Sequence, residues 1–176
     1  MSSSKTKKII ISAMFASIIT VLTAYFHINI GTNSGYVHFG DSMIYLAACL
    51  LPAPYAMCAA SIGGAMADML SGSAIWAFPT AIIKAHNVIP FSIMLKYIKN
   101  RKDTRIINLR IMMMSVISGL ITSIGYMFAE AIMFGSIKVA AASLIFGLIQ
   151  AAGSTVIFYF AGTALDTVKF KSKILN

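Results

Sequence analysis

Asp41, Asp68, Lys84 and Glu130 are ionisable side chains set in stretches of sequence that are otherwise apolar. A charged side chain at the centre of a membrane helix costs about 2.5–3.5 kcal/mol on insertion scales, so such groups turn to a bundle interior or a watery cavity and mark functional sites. The chemistry open to these four is recognition. Carboxylates accept hydrogen bonds from N–H groups or cations, and an ammonium group donates three. The stretch "ADMLSGSAIWAFPTAIIKAHN", residues 67–87, concentrates these groups: Asp68, Lys84, His86, Asn87 and the one tryptophan, Trp76.

Catalysis would require more. A hydrolase in the membrane needs a nucleophile with an adjacent base, or a metal. His27, His38 and His86 show no H-E-x-x-H spacing, and no G-x-S-x-G occurs. There is no P-loop, so the chain is not expected to use ATP itself. Cys49 and Cys58 lack C-x-x-C spacing and read as small apolar residues. A membrane-embedded enzyme is therefore the weakest reading, and neither a metal nor a cofactor is expected. The net charge of +9 does not indicate nucleic acid, because the basic residues form short clusters flanking apolar runs.

The elements that must position these groups follow from composition. Of 176 residues, 59% are hydrophobic and 11% charged, whereas a soluble domain carries about 25% charged residues. Apolar runs cover residues 9–28, 41–51, 55–70, 75–98, 109–134 and 139–165. They predict one all-α domain over residues 1–176, a bundle of six transmembrane helices. The first run is read as a retained helix, not a cleaved signal peptide. Pro52 and Pro54 force a reversal between the short second and third runs. Basic clusters at Lys5–Lys8, Lys96–Arg110 and Lys169–Lys173 share one side of such a bundle, whereas the opposite loops hold only Lys138. Both termini are thus expected in the cytoplasm of a multi-pass bacterial cell-membrane protein.

With that orientation, about 1.5 Å of rise per residue puts Asp41, Asp68, Lys84 and Glu130 in the outer third of the bilayer. Helical spacing aligns further groups with them. Ala56, Ala60, Gly64, Asp68 and Gly72 share one face, as do Thr80, Lys84 and Asn87. Ser115, Gly119, Thr122, Tyr126 and Glu130 form a third face, and Ser143, Gly147, Gln150 and Ser154 a fourth. Asp68 and Lys84 suit either a mutual ion pair or ligand contact. Asp41 suits an N-cap of the second helix. Glu130, with no basic residue nearby in its run, suits a ligand or water partner, and His86 suits packing. Trp76 is either an interfacial anchor or, with Tyr36, His38 and Tyr126, part of an aromatic stack on a planar ligand. A small, planar, polar heterocycle fits this set.

Two segments carry a family resemblance. "GYVHFGDSMIYLAACLLP" and "GGAMADMLSGSAIWAFPTAIIK" resemble the substrate-binding (S) components of energy-coupling factor (ECF) vitamin transporters, nearest the branch associated with hydroxymethylpyrimidine, pyridoxine or riboflavin-like substrates. The resemblance implies a bundle that captures a vitamin or its precursor outside the cell. The bundle would dock on one transmembrane T subunit and two ATPases, which spend the ATP, and topple to release its cargo inward. Members show an Ala-x-x-x-Ala docking contact on the first helix. Here "SAMFAS" offers Ser12 with Ala16, or Ala13 with Ser17, at the same spacing. His38 and Phe39 replace the more usual residues before Gly40, which bears on substrate choice. A stand-alone proton-coupled carrier using Asp68 or Glu130 is the alternative within transport, although no internal repeat is evident.

Overall fold

The computed structural model describes residues 3–29, 36–98 and 105–175, and it consists of helices plus one short hairpin. Helix α1 (Ser3–Ala24) leads into strands β1 (His27–Asn29) and β2 (Tyr36–His38), which pair antiparallel with His27 opposite His38. Then follow α2 (Gly40–Leu50), α3 (Ala53–Leu70), a 3-10 turn (Ala74–Trp76), α4 (Ala77–His86) and α5 (Ile89–Ile98). Helices α6 (Leu109–Phe134), α7 (Ile137–Thr167) and α8 (Phe170–Leu175) complete the chain. Lys99, Arg101 and Lys102 of the expected basic connection lie outside the described residues.

Local chemistry accounts for the boundaries. Leu51 is extended, and Pro52 caps α3, whose first turn accepts Pro54 because a proline N–H would be unsatisfied there anyway. The run 75–98 is expected as one helix, but it divides. Pro90 has no N–H to offer the carbonyl of His86, and its ring crowds that carbonyl, so α4 stops at His86 and α5 begins at Ile89. At the break, the Asn87 carbonyl accepts the Ser118 hydroxyl at 2.8 Å. Asn108 caps α6 by accepting the Ile111 N–H at 3.0 Å, and Gly135 ends it in the left-handed conformation at φ 66°.

Among the described residues, four stretches are long and apolar enough to cross a membrane: Ser4–Ala24, Ala74–Tyr97, Leu109–Phe134 and Leu144–Thr167. Helix α2 is different. Its 11 residues reach about 16 Å, half the thickness of a bilayer core. It is buried along almost its whole length, and it touches α1, α3, α5, α7 and α8. Tyr45 of α2 stacks on Phe91 at 5.3 Å and meets the edge of Phe158 at 5.7 Å, which anchors the apolar core around Val88, Ile106 and Ile111.

Polarity is distributed inside out. Ile10, Met14, Ile93, Phe128, Ile132 and Phe160 are exposed, whereas Ser115, Ser118, Thr122, Ser123 and Ser154 are buried. Lipid has no hydrogen bonds to offer, so these hydroxyls bond within the bundle. Ser123 donates to the Gly119 carbonyl at 2.9 Å, for example. Small residues let the helices approach. A Cβ at Gly63 would lie 2.8 Å from the Ala16 carbonyl oxygen and 2.9 Å from Ile19. One at Gly147 would lie 2.8 Å from the Ser123 hydroxyl oxygen. Gly63→Ala meets rigid backbone, so it should force α1 and α3 apart. We expect a destabilisation of about 1–3 kcal/mol, read as a lowered thermal midpoint in detergent.

Candidate functional site

A single contact organises the polar interior. Lys84 Nζ of α4 donates to Asp41 Oδ1 of α2 at 2.6 Å, with side chains 3% and 1% exposed. Two expectations are corrected by it. Asp41 is not the N-cap of α2: Phe39 holds that position without a side-chain cap, and Asp41 lies in the first turn with its carboxylate directed to Lys84. Nor does Lys84 form its ion pair with Asp68. Asp41 and Lys84 face each other directly, so the ammonium is taken.

Around that pair stand groups from other elements. Gln150 of α7 accepts the His38 N–H at 2.8 Å and donates to the His38 carbonyl at 3.0 Å, so one side-chain amide bonds β2 in the manner of a neighbouring strand. The same Nε2 lies 3.0 Å from Ser154 Oγ and 3.5 Å from Asp41 Oδ2. His38 Nδ1 accepts the Gly40 N–H at 3.1 Å, and Gly40 is packed so closely on Thr23 that a Cβ would overlap its hydroxyl. Hairpin, α2, α4 and α7 thus meet at one point.

Next to the pair is an aromatic side. Lys84 Nζ lies 5.3 Å from the centre of the Tyr126 ring. The Tyr126 hydroxyl and Thr80 Oγ1 are 2.9 Å apart. Trp76 packs on Tyr126 at 6.0 Å and on Phe134 at 5.9 Å. Deeper along α4, Asn87 Nδ2 donates to Thr122 Oγ1 at 2.7 Å. Asp68 is 5% exposed and faces α4 from α3. Its Oδ2 is among the buried atoms that find no hydrogen-bond partner within the described residues. Gly64, one turn earlier, permits this approach, since a Cβ there would lie 2.9 Å from both Lys84 Cγ and Thr80 Cγ2.

The structure brings together His38, Asp41, Lys84 and Gln150, with Asp68, Trp76, Asn87 and Tyr126 adjoining them along α3, α4 and α6. Glu130 is half-buried one turn beyond Tyr126, and it is engaged within the chain. Only the backbone of Tyr36 is described. Its side chain and that of Ser143 lie outside the described residues. His86 is exposed, with Nδ1 2.7 Å from the Ile82 carbonyl, and it belongs to no cluster. Of the two docking pairs, Ser12 is spent inside, bonding the Tyr55 carbonyl at 2.7 Å, and the Ala16 backbone meets Gly63. Ala13 and Ser17 are exposed. The buried hydroxyls Ser118 and Ser154 were not singled out individually from sequence as partners of Asn87 and Gln150. Their signal was helical spacing alone.

Apolar exterior, spanning helices and a sequestered polar cluster define a multi-pass membrane protein. Residues 3–167 match the family described as "ECF-type riboflavin transporter, S component", and the chain belongs to that family. It is a substrate-binding transporter subunit, not a member of an enzyme family. A protein of Pyrococcus woesei described as "Uncharacterized protein in gap 3'region" is 30% identical over 117 residues, which covers 66% of this chain and 74% of that protein. No solved structure matches the chain.

Two outcomes follow from the geometry. Lys84→Met leaves the Asp41 carboxylate buried without a counter-charge and should cost about 3–5 kcal/mol. Adding Asp41→Leu should restore most of that loss, as a double-mutant cycle of thermal unfolding will read. Gln150→Leu removes both bonds to His38, and amide exchange at His38 should quicken by about tenfold or more while the core amides around Phe91 hold.

Proposed function

We propose that this chain captures a small, planar micronutrient, a vitamin or vitamin precursor such as hydroxymethylpyrimidine or pyridoxine, at the extracellular face of the cell membrane. It then hands the cargo inward after docking on an ATP-driven module of one T subunit and two ATPases. The reading takes the chain as six membrane segments with both termini cytoplasmic. Helices α4 and α5 form one interrupted segment, and the short α2 is completed toward the outside by the hairpin. The pattern of Lys and Arg supports that orientation.

One observation carries the proposal. His38, Asp41, Lys84 and Gln150 come from the hairpin, α2, α4 and α7, yet they meet in one buried cluster. Asp68, Thr80, Trp76 and Tyr126 extend it from α3, α4 and α6 with an acceptor and two rings. Such a set offers donors, acceptors and flat apolar faces together, which suits a polar heterocycle. For docking, Ala13 and Ser17 remain available on the exposed face of α1, where small side chains permit close backbone approach. ATP enters through the partners alone.

The test has two stages. Purified protein is titrated with hydroxymethylpyrimidine, pyridoxine and riboflavin. One of them should raise the thermal midpoint and give a saturable binding isotherm. In vesicles, uptake of that compound should require the T subunit and ATPases in addition to this chain. Rapid, gradient-driven uptake by the chain alone would establish a proton-coupled carrier instead.

A further inference from the structure

Charge inside a low-dielectric bundle has to be balanced close by. In this cluster two carboxylates, Asp41 and Asp68, face a single ammonium, Lys84, and Asp41 already holds it at 2.6 Å. His38 stands on the Asp41 side of the pair, where its Nδ1 accepts the Gly40 N–H and its backbone is held by Gln150. The remaining charged groups near this end are Glu130, half-buried and engaged elsewhere, and Lys138, which is exposed. Asp68 stands 5% exposed: Thr80 bonds its carboxyl and Lys84 acts on it from a distance, yet its Oδ2 has no hydrogen-bond partner among the described residues.

Its surroundings specify what the missing donor looks like. Gly64 lets α4 close on α3, which brings Thr80 and Lys84 against the Asp68 face. Thr80 Oγ1 lies 2.9 Å from the Tyr126 hydroxyl, and Trp76, at the end of the 3-10 turn that leads into α4, packs on the Tyr126 ring at 6.0 Å. Aromatic faces attract cations as well as flat rings. A carboxylate whose nearest ammonium is already held by another carboxylate, close to the Tyr126 ring on which Trp76 packs, favours a planar positive charge. It disfavours phosphates and carboxylates, and gives a neutral ring no electrostatic gain.

We propose that the cargo is a cation: a planar nitrogen heterocycle, protonated at neutral pH, whose N–H donates to Asp68 Oδ2 while its ring lies against Trp76 and Tyr126. This rests on the capture reading above and narrows it to one charge class.

The experiment compares three rings of similar size by equilibrium binding to the purified full chain at neutral pH: 4-aminopyridine, which is protonated there, uncharged aniline, and anionic isonicotinate. We expect 4-aminopyridine to bind about tenfold or more tighter than aniline, and isonicotinate to bind most weakly. Asp68→Asn keeps the shape and removes the charge. It should weaken 4-aminopyridine by about tenfold to a hundredfold, the range of a hydrogen bond to a charged group, and leave aniline nearly unchanged. The unliganded Asp68→Asn protein should melt at the same or a higher temperature, because an uncompensated carboxylate is gone. A lower melting point with cation affinity retained would make Asp68 a structural residue and overturn the proposal. So would aniline or isonicotinate binding as well as the cation. If riboflavin, an uncharged ring system, binds tightly to the wild type and to Asp68→Asn alike, the capture reading stands and the cationic cargo falls. If neither the vitamins nor the three probes bind, both fall.

Discussion

Burying the Lys84 ammonium against the Asp41 carboxylate is the constraint on which the rest of the polar interior depends. Each ion loses several kcal/mol of hydration when it leaves water, and their attraction offsets this only when the distance is short and the remaining lone pairs and protons are satisfied. The distance here is 2.6 Å. Gln150 approaches the second carboxylate oxygen, and the Tyr126 ring faces the ammonium. The neighbours must therefore come close, and side-chain size is where that is settled. Gly64 leaves room for the Lys84 stem, and Gly119 leaves room for Ala151, where a Cβ would collide. A larger residue at either place would push apart the helices whose approach keeps water out.

The same constraint explains why the bundle is apolar outside and hydroxyl-rich inside. Against lipid there is little hydrophobic gain in bringing helix to helix, so packing and internal hydrogen bonds hold the helices together. Asn87 shows the economy of the arrangement. Its carbonyl, at the break before Pro90, accepts the Ser118 hydroxyl, and its side-chain Nδ2 donates to the Thr122 hydroxyl oxygen. The interruption between α4 and α5 thus becomes a point of attachment to α6.

Much of this was legible in the sequence, and the failures share a cause. Apolar runs with few charges marked the long spans, and spacings of four and three residues put Thr80, Lys84 and Asn87 on one face, where the structure has them buried. Partner choice was not legible. Lys84 lies 43 residues from Asp41 and 16 from Asp68, and proximity in sequence favoured the second. What decides is how each helix is rotated about its axis and how deep it sits, which are properties of packing across elements that no single periodic pattern contains. The docking pair on α1 divided for the same reason: Ser12 faces Tyr55 inside and Ser17 faces out, although both occupy small-x-x-x-small positions. The break at Pro90 was available from proline chemistry, but the unbroken apolar run outweighed it.

The position of Gln150 ties the hairpin to the buried ion pair. Its amide bonds both backbone groups of His38, so the end of the hairpin is held by the same side chain that approaches Asp41. A subunit of a transporter family that is not an enzyme family has binding energy as its means of shifting between open and closed states. A ligand shifts such an equilibrium only by the difference between its affinities for the two states. With the hairpin and the ion pair sharing Gln150, any molecule that draws on Asp41 or Lys84 alters the bonds that hold β2, and any movement of β2 alters the environment of the pair. On the proposed capture reading, the affinity difference between two states of the hairpin would arise at the Asp41–Lys84 contact itself, without a separate relay through the bundle.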